Sequence, residues 1–314
     1  MADYKIAFIG IGSIAKRHIK NLSVLLKSRD KTFQFDALRS KNGRDLDNDI
    51  RSLISNTYCY GEKIPDDYNA VFITNPTSLH YEALKLYSGC AGSLFIEKPV
   101  FDRTDIDIST LQLKENGAYY VACPLRYTNV LQYIKNNIDC RSAYSARAVC
   151  SSYLPDWRPG VDYRDTYSAK KELGGGVSID LIHEWDYLVS LFGMPDTVYN
   201  IKDKVSHLEI NSDDCSVYIG RNKDTVFELH LDYFGRERIR ELEIFLPDET
   251  VVGDLAKCEV RYLKSGKTVS LKEERDDYQI KELAHFLDIL EGKVKNDNDI
   301  RTALDVLKIA KGEF

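Results

Sequence analysis

An apolar run near residue 95 ends abruptly in a carboxylate, an ammonium group and a proline, at Glu97, Lys98 and Pro99. Such a run is typical of a buried strand, and in an open parallel sheet the chemistry collects at the carboxyl ends of the strands. A lysine at a strand end can point into a cleft, where burial lowers its pKa and makes it a usable proton donor or acceptor. Lys98 is therefore a candidate catalytic residue, and a lysine that only closes a strand is the alternative. We also expect a cis Lys98–Pro99 bond, because X–Pro bonds reach this geometry at small cost.

A second group of polar side chains lies in a helical pattern that follows three consecutive glycines, residues 174–176. Asp180 and His183 are three residues apart, so a continuous helix places them on one face, and Asp186 extends that face by a turn. A carboxylate beside an imidazole fixes its tautomer and raises its basicity. The surrounding positions are apolar, which predicts a buried helix whose polar side chains line an internal cleft.

The elements that must position these groups begin with a strand near residues 4–9, a glycine-rich turn and a helix. The turn reads Gly10-Ile11-Gly12-Ser13-Ile14-Ala15, which fits the G-x-G-x-x-A dinucleotide pattern in its proper context. Gly10 permits the tight turn, Gly12 lets the backbone approach a pyrophosphate, and Ala15 allows close packing of helix on strand. The start of the helix, at Ser13 and Ile14, faces the phosphates. The pattern predicts a dinucleotide cofactor; a tight turn without a ligand is the alternative.

The end of the next strand bears on which dinucleotide is bound. An NAD site usually carries an acidic residue there, but this strand ends in Arg39-Ser40-Lys41, and Asp36 comes two residues too early. Arg39 and Lys41 can meet a 2′-phosphate, with Ser40 donating a hydrogen bond. The sequence therefore favours NADP over NAD, with a solvated basic turn as the alternative.

A third strand near residues 68–74 ends in Thr74-Asn75-Pro76 and continues into a helix that contains His80. Pro76 stops the strand, and the hydroxyl residues after it can cap the helix. His80 then lies in the first helical turn, near any bound cofactor. A histidine packed at a helix start is the alternative to a functional role.

The second half of the chain has long segments of alternating polarity, which predict a large, mostly antiparallel sheet with one free face. We place the domain boundary near Pro124, giving residues 1–123 and 124–314. A long loop interrupts the sheet strands and is rich in aromatic and arginine residues, which suits a polar ligand with rings or acidic groups. An ordinary long connection is the alternative. The candidate substrate-binding residues of this loop are Trp157, Arg158, Tyr163, Arg164 and Tyr167.

Composition excludes several classes of function. The net charge of −6 over 314 residues argues against a nucleic-acid or anionic-membrane partner, although a local pocket can still bind an anionic small substrate. No apolar run approaches the roughly 20 residues that span a bilayer. The chain enters a strand almost at once, so we expect no signal peptide. The seven cysteines are scattered, so we expect no disulfide framework or metal site and a cytoplasmic location.

Taken together, these residues resemble the Gfo/Idh/MocA family of dinucleotide-dependent sugar oxidoreductases. The resemblance covers nearly the whole chain and rests on the glycine turn, Thr74-Asn75-Pro76 with His80, Glu97-Lys98-Pro99, Arg126, and the stretch from residue 174 to His183. It implies a Rossmann domain followed by an open α/β domain whose free sheet face makes oligomer contacts. It also implies that Lys98 lies beside the nicotinamide, that His183 is the principal acid/base with Asp180 as its helper, and that Glu97 and Arg126 belong to the cofactor site.

One departure from the family pattern matters for these roles. Many members have four residues from the aspartate to the histidine, whereas Asp180 and His183 are separated by three. An uninterrupted helix does not hold both side chains in the family's positions, which puts the role of Asp180 in doubt more than that of His183. The loop from Trp157 to residue 168 is similar to that of members acting on precursors of surface polysaccharides or nonulosonic acids.

The sequence thus predicts an NADP- or NAD-dependent dehydrogenase or reductase acting on a secondary hydroxyl or ketone of a sugar derivative. We expect Lys98 and His183 to line one cleft between the domains. Two alternatives keep the fold: a redox-neutral epimerase or glycosidase that returns the hydride in the same cycle, and a cofactor-binding sensor without catalysis. A sensor does not need the pair of Lys98 and His183, which favours an enzyme.

Overall fold

The computed structural model describes residues 2–41, 45–111 and 113–314. The strands are β1 (Tyr4–Ile9), β2 (Phe33–Arg39), β3 (Ile54–Cys59), β4 (Ala70–Ile73), β5 (Ser93–Ile96), β6 (Ala118–Val121), β7 (Ser145–Tyr153), β8 (Thr197–Asp203), β9 (Cys215–Arg221), β10 (Val226–Asp232), β11 (Phe234–Phe245), β12 (Thr250–Asp254), β13 (Glu259–Tyr262) and β14 (Thr268–Ser270). The helices are α1 (Ser13–Ser28), α2 (Asn48–Arg51), α3 (His80–Tyr87), α4 (Asn129–Asn137), α5 (Val177–Asp180), α6 (His183–Phe192), α7 (Asp277–Leu290) and α8 (Ile300–Lys311).

The chain divides into two compact units. The first comprises Met1–Ala122 and Gln279–Leu304, and the second comprises Cys123–Tyr278 and Asp305–Phe314. Among the described residues, no helix combines the length and the apolar character that crossing a membrane requires.

The first unit is built on a six-stranded parallel sheet in the order β3-β2-β1-β4-β5-β6. Its inner strands are apolar throughout: residues 6–9, 70–73 and 94–96 are fully buried. Strands covered on both faces require such continuous apolar runs, which explains the absence of polar alternation here. The predicted Rossmann sheet is confirmed. The strand order reverses between β1 and β4, and ligands of open α/β sheets bind at such a switch point.

Residues 279–304 belong to the first unit. The sequence-based division into residues 1–123 and 124–314 had placed them in the second. The reason is aromatic packing: the ring centroid of Phe286 lies 5.6 Å from that of Phe72, 5.3 Å from Phe95 and 5.9 Å from Tyr120. The Tyr120 hydroxyl also donates to Glu282 at 3.1 Å. The amphipathic pattern of α7 predicts a packed helix but does not tell which sheet it covers.

The second unit contains an eight-stranded sheet in the order β14-β13-β12-β11-β7-β10-β9-β8. Its pairs are antiparallel except for β7 with β10, so the predicted mostly antiparallel sheet is confirmed. Because β7 and β10 run parallel, their carboxyl ends meet at one end of the sheet, where β11 also begins. The aromatic loop follows β7 at that end.

Candidate active site

The glycine turn between β1 and α1 is shaped by two different constraints. Gly10 has a φ of +85°, and a Cβ added to it would lie 2.7 Å from the Asn75 Cα, so a side chain is excluded by strain and by contact. Gly12 is the opposite case, since a Cβ there would meet nothing within 4 Å. The backbone at Gly12 therefore faces open space, directly before the first residue of α1, Ser13.

A cavity of about 540 Å³ lies at the carboxyl ends of β1, β2 and β4, and Gly10 and Ile11 of the glycine turn form part of its wall. Its size lies in the range of small-molecule and cofactor sites. Apolar and aromatic side chains form much of the wall, with polar groups at the glycine turn and at the end of β2. The lining residues are Gly10, Ile11, Lys16, Leu38, Arg39, Ser40, Asp45, Leu46, Tyr60, Asn75, Pro76 and Leu79.

Sequence reasoning did not assign seven of these residues to the site, namely Ile11, Lys16, Leu38, Asp45, Leu46, Tyr60 and Leu79. Tyr60 comes directly after β3, so the rule that ligands lie beyond strand ends could have identified it. Leu79 is 43% exposed, as single surface leucines often are, and this exposure gives no signal of a ligand site. Asp45 and Leu46 follow residues outside the described ranges and carry no comparable signal.

The structure places Arg39 and Ser40 in the cavity wall. Asp36, by contrast, is fully buried inside the sheet. Its carboxylate accepts hydrogen bonds from the Asn56 backbone at 3.1 Å, the Asn56 amide at 2.9 Å and the Tyr68 hydroxyl at 2.7 Å. Asp36 is thus a structural acid, and β2 ends without a carboxylate of its own.

Thr74 and His80 hold the loops around the cavity together. The Thr74 hydroxyl contacts the carbonyls of Ile9 at 3.0 Å and Gly10 at 2.8 Å, which ties the end of β4 to the glycine turn. The buried His80 ring has its Nδ1 3.1 Å from the Val100 carbonyl and its Nε2 3.0 Å from the Asn75 carbonyl. Burial lowers the pKa of His80. This geometry favours the packed-histidine alternative, in which His80 supports the loop but does not contact the ligand.

Glu97 and Lys98 follow β5 as predicted, and the Lys98–Pro99 bond is cis, which confirms that expectation. The Glu97 carboxylate lies 2.6 Å from His18 Nε2. Burial opposes ionisation of Glu97, but the hydrogen bond and charge of His18, together with Lys98, outweigh it and lower the Glu97 pKa. Lys98 is half-buried. Sequence reasoning missed His18, a histidine on the buried face of α1.

In the second unit, the three glycines allow a dense turn before α5. A Cβ on Gly175 would lie 2.0 Å from the Tyr167 carbonyl oxygen, and one on Gly176 would lie 2.3 Å from Asp213 Oδ1. Asp213 in turn accepts a hydrogen bond from the Ser178 backbone at 3.0 Å, in the first turn of α5. Glycine is therefore needed for the aromatic loop to lie directly against the start of the helix that carries Asp180.

The helix expected to continue through Asp180 and His183 is broken, so this expectation is wrong. Helix α5 ends at Asp180, α6 begins at His183, and Leu181 has φ −99° and ψ 27° between them. Hydrogen bonds between residues three apart replace the regular α-helical pattern here. The Ile182 N–H donates to the Ile179 carbonyl at 3.3 Å, and the Glu184 N–H donates to the Leu181 carbonyl at 3.2 Å. The short step between aspartate and histidine is thus accommodated by a break in the helix.

Asp180 lies in a buried polar environment beside two tyrosines. The Tyr233 hydroxyl donates to Asp180 Oδ2 at 2.6 Å, and burial with the Asp180 charge raises the Tyr233 pKa well above its ordinary value. Desolvation and the same carboxylate raise the pKa of Tyr167. His183 is half-buried at the first position of α6. The second unit thus brings an imidazole, a carboxylate and phenolic donors to one region, the groups that proton transfer requires.

Arg126 was predicted to be part of the cofactor site. In the structure it is buried, and it forms a two-pronged ion pair within the second unit, from Nε to Asp186 Oδ2 at 2.9 Å and from Nη2 to Oδ1 at 2.7 Å. The pair fastens the segment after residue 123 to α6. This contact assigns Arg126 and Asp186 a positioning role for the helix that begins with His183.

The aromatic loop contributes unequally. Trp157 packs edge-on against Tyr233, with ring centroids 5.2 Å apart, and the Arg158 guanidinium lies 5.5 Å from the Tyr167 ring centroid. Trp157 and Arg158 therefore contact Tyr233 and Tyr167, the two tyrosines beside Asp180. Arg164 is instead held by Asp162 at 2.6 Å and Glu209 at 2.9 Å, and the Tyr163 hydroxyl accepts from the Glu209 backbone at 3.1 Å. Tyr163 and Arg164 stabilise the loop itself.

Within the described residues, no group of three or more histidine, cysteine or acidic side chains is arranged to hold a metal ion. Fold and site define a two-unit α/β protein with a Rossmann-type cavity in one unit and an acid/base cluster beside the sheet of the other.

Comparisons with known proteins agree with that class. No known family model matches the chain, and no curated protein sequence matches it. The fold is similar to UDP-N-acetylglucosamine 3-dehydrogenase GnnA from Acidithiobacillus ferrooxidans, with 18% identity, a TM-score of 0.74, and coverage of 100% of this chain and 97% of that one. It is also similar to the WlbA dehydrogenase from Bordetella pertussis in complex with NADH and UDP-GlcNAcA. The identity is 16%, the TM-score is 0.72, and the match covers 99% of this chain and 96% of that one. A third similar structure is myo-inositol 2-dehydrogenase from Lactobacillus plantarum, with 19% identity, a TM-score of 0.72, and coverage of 99% of this chain and 96% of that one. At these identities the similarity shows a shared fold.

Proposed function

We propose that the protein is a member of the Gfo/Idh/MocA family and an oxidoreductase that transfers a hydride between a nicotinamide dinucleotide and a secondary hydroxyl or ketone of a sugar derivative. The observation that carries this proposal is the cavity of about 540 Å³ at the strand switch point, lined by Gly10 and Ile11 of the glycine turn and by Asn75 and Pro76 after β4. Gly10, Asn75 and Pro76, which belong to motifs that resemble the family, line this cavity, and Asp180 and His183 belong to the acid/base cluster of the second unit. Proteins of similar fold are sugar-nucleotide and inositol dehydrogenases.

The described residues fit a nicotinamide dinucleotide. The open space at Gly12 and the start of α1 suit a pyrophosphate, and the buried Asn75 Oδ1 has no hydrogen-bond partner among the described residues. Gly10, Gly12, Ser13 and Ile14 would hold the phosphates, and Thr74, Asn75 and Pro76 would border the ribose and nicotinamide. A bound nicotinamide supplies the hydride donor or acceptor; the protein orients it and excludes water.

Proton handling is assigned to three residues. His183 takes the proton from the substrate hydroxyl during oxidation and returns it during reduction. Asp180, held by Tyr233, orients the imidazole and favours its protonated form. Lys98 donates a hydrogen bond to the substrate oxygen and stabilises negative charge that develops there.

We infer a preference for the phosphorylated cofactor from Arg39 and Ser40. Both line the cavity, and among the described residues the Arg39 guanidinium forms no ion pair, so its donors are available to a 2′-phosphate. The Asp36 carboxylate is buried inside the sheet and hydrogen-bonded there, so we do not expect it to bind the ribose hydroxyls.

The test has two stages. Fluorescence titration with NADH and NADPH measures cofactor binding, and turnover of a panel of sugars, uronic acids and nucleotide sugars is then followed through nicotinamide absorbance. We expect saturable binding and a substrate-dependent absorbance change. Conversion of a sugar without net absorbance change would identify the redox-neutral alternative instead, and cofactor binding without conversion of any sugar would favour the sensor.

We further propose that the open face of the second unit's sheet is a contact between copies of this chain. Tyr199 and Ile201 on the edge strand β8 are 76% and 78% exposed, and Ile219, the cross-strand partner of Tyr199, is 56% exposed. Contiguous exposed apolar side chains of this kind mark interaction surfaces.

A further inference from the structure

Helix α1 carries a histidine, His18, on its buried face. Its side chain is 1% exposed, and its ring centroid lies 5.1 Å from that of Phe95 and 5.8 Å from that of Phe72. Its Nε2 lies 2.6 Å from Glu97 Oε1. Phe95 and Glu97 are two residues apart, so they face the same side of the extended chain, and His18 contacts both. The helix that starts at the glycine turn is thereby connected to the chain at the end of β5.

The hydrogen bond between His18 and Glu97 has a defined direction. Burial opposes ionisation of Glu97, but the His18 hydrogen bond and the nearby charges lower its pKa. A carboxylate only accepts hydrogen bonds, so the His18 Nε2–H is the donor. The other ring nitrogen, Nδ1, is buried and has no hydrogen-bond partner among the described residues. The polar contacts that the structure describes for this imidazole are therefore directed at Glu97.

The backbone of Glu97 is held as well as its side chain. Its N–H donates to the Ile73 carbonyl at 3.0 Å, which ties the chain after β5 to the end of β4. The next residue is Lys98. Two residues further on, the Val100 carbonyl lies 3.1 Å from Nδ1 of the buried His80 ring. Lys98 thus lies in a short segment that contacts a buried imidazole at each end.

Packing stability alone does not account for a polar pair in this position. Two polar side chains lose water when they are buried between the helix and the sheet, and apolar residues of similar volume are often equally stable or more stable at such sites. A directional hydrogen bond adds orientation, which apolar packing leaves less defined. The carboxylate whose orientation is fixed in this way belongs to the residue directly before Lys98.

We propose that His18 is a positioning residue for the reaction, and that it acts through Glu97 to hold the Lys98 side chain where it meets the substrate oxygen. The inference rests on the proposed function, in which Lys98 stabilises charge on that oxygen. Because α1 begins at the glycine turn, the same contact relates the lysine to the helix end that is proposed to bind the cofactor phosphates. A displacement of about 1 Å in a reacting group can lower the rate by about 10²-fold.

The test is a matched set of substitutions in the full-length protein. His18→Gln keeps an amide N–H near the position of the imidazole Nε2. His18→Asn carries the same amide on a side chain one methylene group shorter, and His18→Leu has no donor. His285→Leu is the control, because His285 Nε2 lies 3.0 Å from Asp297 Oδ1 in another histidine–carboxylate pair of the same unit.

The first measurement is the ¹³C NMR signal of Lys98 in reductively methylated protein, identified by its absence in Lys98→Arg. We expect this signal to shift in His18→Asn and His18→Leu, and to keep its position in His18→Gln and His285→Leu. NADH titration checks folding and should show saturable binding in each variant. An unchanged Lys98 signal in both His18→Asn and His18→Leu, or the same shift in His285→Leu, would overturn the proposal.

The second measurement is steady-state turnover with a substrate from the sugar panel. We expect kcat to fall about 10- to 100-fold in His18→Asn and His18→Leu, whereas His18→Gln and His285→Leu should stay close to the unaltered protein. Glu97→Leu, alone and combined with His18→Leu, completes a double-mutant cycle. The two losses should not add, because both residues act on Lys98 through one contact.

Fully additive losses in this cycle, or equal turnover of His18→Gln and His18→Asn, would show that His18 does not act through its bond to Glu97. The NMR measurement requires no turnover. A protein that converts no sugar would therefore contradict the proposed function, while the Lys98 signal would still decide whether His18 positions the lysine.

Discussion

His183 and Lys98 face different demands in the proposed reaction, since one moves a proton and the other stabilises charge on the same substrate oxygen. Replacing His183 with alanine removes the acid/base, and we expect turnover to fall about 10²- to 10⁴-fold. NADH affinity should be retained, because the cofactor contacts lie in the first unit. Steady-state kinetics and fluorescence titration provide the two measurements.

His207→Ala is the control for that experiment, because His207 is an exposed histidine in the same unit. Near-normal turnover by His183→Ala on the true substrate would show that the acid/base assignment is wrong.

For Lys98→Met we expect a comparable loss of turnover, and weaker cofactor binding in addition, because Lys98 is proposed to lie beside the nicotinamide.

Arg39 decides cofactor choice in our proposal. Arg39→Asp removes the cation proposed to meet a 2′-phosphate and adds a carboxylate for the ribose hydroxyls. We expect affinity for NADPH to fall and affinity for NADH to rise, as measured by titrating both nucleotides. Arg103→Gln, at an exposed arginine that pairs with Asp105 at 3.4 Å, is the control. Equal or better affinity of the unaltered protein for NADH would contradict the preference.

At the scale of elements, local patterns predict what depends on neighbours in sequence. The glycine turn with its flanking strand and helix, the apolar runs of the parallel sheet and the alternation of the second sheet all follow from such patterns. The break between α5 and α6 does not, because residues 177–192 have the composition of a continuous apolar helix. The bulge of β11 at residues 235–238 and the contact of His18 with Glu97 depend on strand register and on tertiary packing, which no short segment encodes.

The start of α6 depends on a buried ion pair that sequence reasoning did not identify. Glu184 is fully buried, and its Oε1 accepts a hydrogen bond from Arg240 Nε of β11 at 2.6 Å. Removing one member leaves the other charge buried and unpaired. We therefore expect Glu184→Leu to lower the free energy of unfolding by about 3–5 kcal/mol.

The double variant Glu184→Leu with Arg240→Met separates pairing from packing. Replacing both charges with apolar side chains should recover much of the lost stability, since such exchanges are often neutral. Urea unfolding of the two single variants and the double variant gives the comparison. A double variant no more stable than Glu184→Leu would show that the pair is not what makes Glu184 important.

At the scale of the whole molecule, the open sheet face offers a test of assembly. Register places Glu228 beside Ile219, and Arg147 and Glu243 follow in the same row across β7 and β11. Alternating charges next to an apolar edge suit a two-fold contact in which one patch meets its own copy. We expect the unaltered protein to form dimers or larger assemblies through this face.

Tyr199→Asp with Ile201→Asp should reduce the mass measured by light scattering, because burying carboxylates at an apolar contact is costly. Val24→Asp, at a 63% exposed position of α1, is the control and should leave the mass unchanged. A monomeric unaltered protein, or a double variant of unchanged mass, would rule out this face as the contact.

The return of residues 279–304 to the first unit affects how the protein is synthesised. Phe72, Phe95 and Tyr120 leave the ribosome long before Phe286, the ring that packs against all three. The aromatic core of the first unit therefore stays incomplete after residues 1–122 have been translated, until most of the second unit has been made. We expect the nascent chain to rely on chaperones during this interval, and an expression fragment ending at Ala122 to aggregate unless residues 279–304 are joined to it.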